Sequence, residues 1–153
     1  MKWIQNDIKQ YISAKEYIDT AVIPLVPYAV DNDEDMLQTS FQQELMALYT
    51  HQLEQRLKGR LFLLPVYTYL KNGTLEKELE RLNGMTAEIL KQPFKQVFLF
   101  TFDKQWRKHQ STLDGELIWL PSIQSGDLQS NEVREVIQSQ IIDIEDLIKE
   151  SWS

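Results

Sequence analysis

The sequence predicts one α/β domain of three layers: a mostly parallel sheet of about four strands with helices on both faces. Three observations carry that expectation. Apolar residues alternate along the chain between helical spacing and short continuous runs, giving the order α, β, α, β, α, β, β, α. The 153 residues are 42% hydrophobic and 25% charged, enough for a single domain spanning 1–153 with its own core. No cysteine occurs, so neither disulfides nor thiolate metal sites are available to hold it.

The elements follow in order. Ile8, Tyr11 and Ile12 predict a short helix over residues 7–17, with Asp7 as its N-cap. Residues 20–27 are β-branched and apolar and predict a strand, but Pro24 has no N–H to donate, which implies one compromised side. Over residues 33–58 two adjacent stripes, Leu37-Phe41-Leu45-Leu48 and Met46-Tyr49-Leu53-Leu57, predict the longest helix. Gly59 supplies its C-terminal stop, and Arg56 and Lys58 suit the negative end of its dipole.

Residues 61–70 are apolar without clean alternation, as in a strand covered on both faces, and Pro65 within them implies a bulge or an edge. After the Asn72-Gly73 turn, Leu75, Leu79, Leu82, Ile89 and Leu90 outline a helix opened by Thr74 and closed near Pro93, with Gly84 weakening its middle. Residues 97–102, dense in phenylalanine, are the strongest strand signal. Residues 117–120 predict a fourth strand. Val133, Ile137, Ile141, Ile144 and Ile148 form the stripe of a closing helix from about Ser130 to about Trp152.

The first three strands are expected to be parallel, with right-handed crossovers. Asp114-Gly115 resembles a hairpin turn, yet about eleven residues precede it, so the direction of the fourth strand stays open between antiparallel and parallel. The order fits a thioredoxin-like or a Rossmann-like topology.

A formal charge of −7 disfavours nucleic acid and anionic lipid as partners. The opening Met1-Lys2-Trp3-Ile4-Gln5-Asn6-Asp7 reaches polar residues before an apolar signal segment forms, and no apolar run is long enough to span a membrane, so a cytoplasmic location is expected. Asp31-Asn32-Asp33-Glu34-Asp35 alternates carboxylates like a calcium loop but has Met36 where that loop needs glycine and Gln42 where it needs glutamate. It reads instead as the acidic start of the long helix.

Five isolated glycines form no phosphate cradle, and no Gly-x-Ser-x-Gly elbow marks a serine nucleophile. His51 and His109 fall in no metal-ligand spacing. No cofactor and no metal is expected. The most suggestive cluster follows the best strand. Asp103, Trp106 and Arg107, with Tyr28 ending the first strand, fall at the carboxyl edge where α/β sheets bind ligands. The plainer account is that Asp103 caps a helical turn, Trp106 folds back on the core and Arg107 pairs locally. Trp3 and Trp152 are candidate anchors for a protein interface, where aromatic residues are enriched.

Met1-Lys2-Trp3, Asp7, the stretch Ala14-Lys15-Glu16-Tyr17-Ile18-Asp19-Thr20-Ala21-Val22-Ile23-Pro24-Leu25, and Gly115-Glu116-Leu117-Ile118-Trp119-Leu120-Pro121 resemble the YpiF-like proteins of Bacillus and its relatives. That family is a domain of unknown function, so the resemblance carries over no catalytic residue and no ligand. It implies a cytosolic protein of a spore-forming Gram-positive bacterium. Members are encoded near genes of the quinol:cytochrome c reductase, which implies a helper role in assembling or regulating that complex.

With a good core and no catalytic constellation, the leading expectation is a non-enzymatic interaction or assembly domain that binds another protein. The alternative is a small enzyme or a nucleotide- or metabolite-binding protein with its site around Tyr28, Asp103, Trp106 and Arg107.

Overall fold

The computed structural model describes residues 1–123 and 126–152. Helix α1 spans Gln5–Ser13 and a short 3-10 turn follows at Lys15–Tyr17; then come β1 (Thr20–Tyr28), α2 (Asp33–Arg56), β2 (Leu61–Leu63), β3 (Tyr67–Leu70), α3 (Leu75–Ile89), β4 (Gln96–Thr101), a 3-10 turn at Lys104–His109, β5 (Glu116–Trp119) and α4 (Asn131–Glu150). All strand pairs are parallel. β2 and β3 lie end to end beside β1, and β4 and β5 follow on its other side.

The expected second strand is therefore two. Val22 faces Leu63 and Leu25 faces Tyr67, so three steps along β1 match four along its neighbour, and the extra residue is a bulge at Pro65. This neighbour is an edge, so the proline has the bulge and the edge position it needs.

β1 is the centre of the sheet, and its one interrupted side is the one toward β2 and β3, where Ile23 and Pro24 have no paired partner. Its backbone polarity accounts for this. Thr20 N–H donates to Arg60 O at 3.2 Å, Leu64 N–H to Val22 O at 2.9 Å and Lys71 N–H to Tyr28 O at 2.9 Å, so alternate residues from Thr20 turn toward β2 and β3. Pro24 is one of these, and its missing donor falls in the gap between β2 and β3. Pro27 turns the other way, past the last β1–β4 pair, Leu25 with Thr101. Neither proline breaks a ladder bond.

Side chains of β1 and β4 alternate between two cores. Val22, Val26, Phe98 and Phe100 pack under α2 and α4, on Leu45, Tyr49, Leu53, Ile137, Ile141 and Ile148. Ala21, Ile23, Leu25, Val97 and Leu99 pack on the opposite face with Leu75 and Leu82 of α3, and with Trp106 and Leu113 from the segment between β4 and β5. A third cluster, Tyr11, Ile18 and Phe62, seats α1 beside β2. These are the three expected layers.

β5 is parallel to β4, which closes the open question of its direction: Asp114-Gly115 makes no hairpin, and a 3-10 turn crosses between the strands. The strand order leaves β1 first toward β2 by way of α2, then toward β4 by way of α3 on the other face. Reversing both direction and face keeps one hand for every crossover. This is the doubly wound arrangement, with its reversal point between β1 and β4.

Local expectations differ in places. Asp7 is not an N-cap; it lies in the first turn of α1 and accepts the Lys2 amide at 2.7 Å. α2 is capped by Asn32, whose side chain accepts from Asp35 N–H at 2.8 Å. Leu37, read as part of a core stripe, is 73% exposed, because the first turns of α2 run past the carboxyl ends of the strands and leave the sheet behind. Gly59 has φ of +94°, the left-handed backbone expected after a helix end.

Candidate functional site

At the point of strand reversal the carboxyl ends of β1 and β4 diverge, and a cleft of about 340 Å³ opens there. Phe102 and Pro27 form its floor, Phe41, Gln38 and Gln42 of α2 one wall, and Asp103, Lys104, Gln105 and Trp119 the other. Lys71 enters from the turn after β3. It is held at 3.1 Å by Asp35 and at 2.9 Å by Gln38. Lys71, by its hydrogen bond, and Asn32 hold the Asp35 carboxyl below its ordinary value.

The four residues expected at this edge are not brought together. Asp103 lines the cleft, but its carboxylate is engaged: Oδ1 accepts Gln105 N–H at 3.0 Å, capping the 3-10 turn, and Oδ2 accepts the Tyr69 hydroxyl at 2.7 Å. Trp106 is fully buried in the α3-side core, where its Nε1–H donates to the Tyr69 hydroxyl at 2.8 Å and its ring meets Tyr69 edge to face at 5.5 Å. No ligand in the cleft reaches it. Arg107 is exposed and stacks on Trp119, its guanidinium 4.1 Å from the ring centroid. Tyr28 belongs to another hollow, of about 400 Å³, between β1, β3 and α2.

Tyr69 organises this cluster. Burial, and next the Asp103 carboxylate, push its hydroxyl far above the ordinary tyrosine value, so it stays protonated and donates to Asp103 while accepting from Trp106. The phosphate position of a doubly wound fold, the turn from the first strand into its helix, is already filled by Asp33, Glu34 and Asp35 and has no glycine. Among the described residues no group of His, Asp or Glu could hold a metal ion.

Of the tryptophans singled out near the ends of the sequence, Trp152 is half-buried. It donates to Thr20 Oγ1 at 2.8 Å and carries the Arg60 guanidinium 3.8 Å from its ring centroid. Trp3 is 58% exposed and leans edge-on against Phe62 at 5.8 Å. It stands between two hollows. One, of about 390 Å³, lies between α1 and α3 over a floor of Tyr11, Phe62 and Phe94, with Ile12 at its lip, 62% exposed. The other, of about 420 Å³, runs from Trp3 along Leu64–Tyr67 to Arg81, Met85 and Ile89 of α3.

Sequence reasoning missed Tyr69, Trp119, Lys71 and the aromatic floor Tyr11-Phe62-Phe94. Only Tyr69 left a readable trace, the in–out alternation of Tyr67-Thr68-Tyr69-Leu70, which a single apolar run over residues 61–70 conceals.

Comparison with known proteins adds a family but no activity. The family described as "Protein of unknown function (DUF2487)" matches residues 9–152. The chain is similar to "Uncharacterized protein YpiF" of Bacillus subtilis (strain 168), with 33% identity over 153 residues, covering all of this chain and 99% of the relative. The likeness carried by residues 14–25 and 115–121 thus extends over the full length. No solved structure matches, and among the described residues no helix is long and apolar enough to cross a membrane.

Proposed function

From the premise that the chain belongs to the DUF2487 family, whose description assigns no activity, we propose that it is a cytoplasmic, non-enzymatic interaction domain that takes up another protein on its α1–α3 face. One observation carries this reading: Trp3 and Ile12 stay 58% and 62% exposed beside a hollow walled mainly by apolar and aromatic side chains, with Lys15, Glu88 and Gln92 also lining it. Large exposed tryptophans beside apolar hollows are typical of the anchoring centres of interfaces. The opposing sign, a pocket joining Asp103 to Arg107, is lacking, since Asp103 is tied to Tyr69 and Arg107 to Trp119.

Site-specific photo-crosslinking in the native host tests the proposal. A photoreactive residue at Ile12 is expected to trap one discrete protein that is absent when the probe sits at Gln138, an exposed position on α4, and lost again with Trp3→Ala. Equal labelling from both positions sinks the reading.

The cleft at the strand reversal favours a second reading, a small polar ligand laid on Trp119 between Lys71 and Lys104. In that case native mass spectrometry of the purified protein retains a small molecule that Trp119→Ala and Lys104→Ala release, with the unfolding midpoint of the exposed Lys104→Ala variant unchanged.

A further inference from the structure

Building on the reading that this side of the molecule receives another protein, we infer that the partner is bound as an extended segment, adding a strand to the open edge of β3 and sending apolar side chains to both faces of the sheet. One half of this edge is already occupied in that way by the chain itself. Leu63 N–H donates to Met1 O at 2.8 Å, the Met1 amino group donates to Leu61 O at 2.8 Å, and Lys2 forms a parallel bridge with Leu63. After Lys2 the backbone turns away into α1, with Ile4 N–H donating to Lys2 O at 2.9 Å. The lane it leaves continues alongside β3, where no strand lies among the described residues.

The ladder phase says which groups are open there. Lys71 N–H donates to Tyr28 O, so Tyr67, Tyr69 and Lys71 direct their backbone groups toward β1. Thr68 and Leu70 therefore direct theirs outward. The Leu70 carbonyl is taken by Gly73 N–H at 3.0 Å, which leaves Thr68 N–H, Thr68 C=O and Leu70 N–H for an incoming backbone.

Both flanks of this edge are open and largely apolar. On the α3 side lies the hollow of Trp3, Met85 and Ile89, about 420 Å³, which Arg81 and Glu88 also line. On the α2 side lies the hollow of Val26, Met36 and Thr68, about 400 Å³. A strand alternates its side chains between faces and fills both, whereas a helix laid on one face fills only one. Solvent edges are usually guarded by charge, proline or a bulge. Here Pro65 and the bulge precede the open positions, and Val66, Thr68 and Leu70 carry no charge. The opposite edge, β5, starts with Glu116 and buries Leu117.

Selection of random linear peptides displayed on phage against the full chain tests the inference, with enriched peptides then titrated on the wild type and two variants. Thr68→Pro removes only an N–H aimed away from β1, at an edge position where proline is tolerated. Leu70→Lys places a charge in the same lane at a residue 55% exposed, and serves where the proline disturbs folding. The expected result is a set of apolar peptides whose affinity falls about tenfold in both variants and which slow amide exchange at Thr68 and Leu70. Peptides that bind both variants undiminished, or that protect α1 and α3 instead, overturn strand addition while leaving the α1–α3 face as an interaction surface. A selection that enriches nothing also overturns it. The underlying reading fails separately, when the probe at Ile12 traps no protein.

Discussion

Single side chains in this molecule act chiefly as ties between elements. Arg60 is the clearest case: it reaches both oxygens of Asp19 at 3.1 Å and stacks on Trp152, so one guanidinium joins the end of the α2–β2 connection, the entry to β1 and the segment after α4. Burial works to raise the Asp19 carboxyl, but hydrogen bonds from Arg60 and Thr20 outweigh it and hold the group below its ordinary value of 3.8. Glu145 is likewise held low, by Lys149 first and, against burial, by Arg56. A carboxyl with a lower pKa folded than unfolded stabilises above the unfolded value, and that contribution is lost as pH falls through the folded one. Asp19→Asn is therefore expected to cost about 1–3 kcal/mol at pH 7 and to lose less further stability than the wild type below about pH 4. Urea midpoints at pH 7 and pH 3 measure both, and parallel losses in the two proteins count against the tie.

At the scale of elements, α3 carries a correctable weakness. Gly84 lies mid-helix, exposed, with nothing within 4 Å of where a Cβ would stand. Gly84→Ala removes backbone freedom from the unfolded chain without a clash and is expected to raise stability by about 0.5–1 kcal/mol, read from the urea midpoint at unchanged slope. A loss instead would mean that α3 needs the glycine for a contact. α2 shows the converse, a regular stripe whose beginning serves no core. Past the strand ends its first turns stand between the strand-reversal cleft, which Gln38 and Gln42 line, and the edge hollow, which Met36 and Gln43 line. Helical periodicity reports that a face exists. Which part of that face meets the sheet depends on where the strands stop.

Across the whole molecule, two large cores share β1 and β4 as their common wall, which argues for unfolding as one unit. Tryptophan fluorescence, weighted by Trp106 in one core and Trp152 beside the other, is expected to give the same urea midpoint as far-UV circular dichroism. Separated midpoints would mean that the two faces come apart independently. The class, the layers, the helices and the bulge at Pro65 were legible in the sequence because each rests on local chemistry: apolar period, proline's missing donor, glycine after a helix. The two stripes of α2 and the isoleucine stripe of α4 bury the residues that matter most, Leu45, Tyr49, Ile137 and Ile141, for the same reason.

The candidate site was legible only as a location. Its residues were not, because Asp103, Trp106 and Arg107 are neighbours in sequence yet a 3-10 turn points them to three environments: a tyrosine hydroxyl, a buried core and a half-buried indole. The sequence by itself determined what short-range forces decide, namely which segments coil, which extend and which faces must be buried. Only the tertiary structure decided the parallel direction of β5, the central place of β1 and the open edge at β3. Strand order and burial depend on contacts between residues far apart in the chain, and no local pattern encodes where those contacts leave a gap.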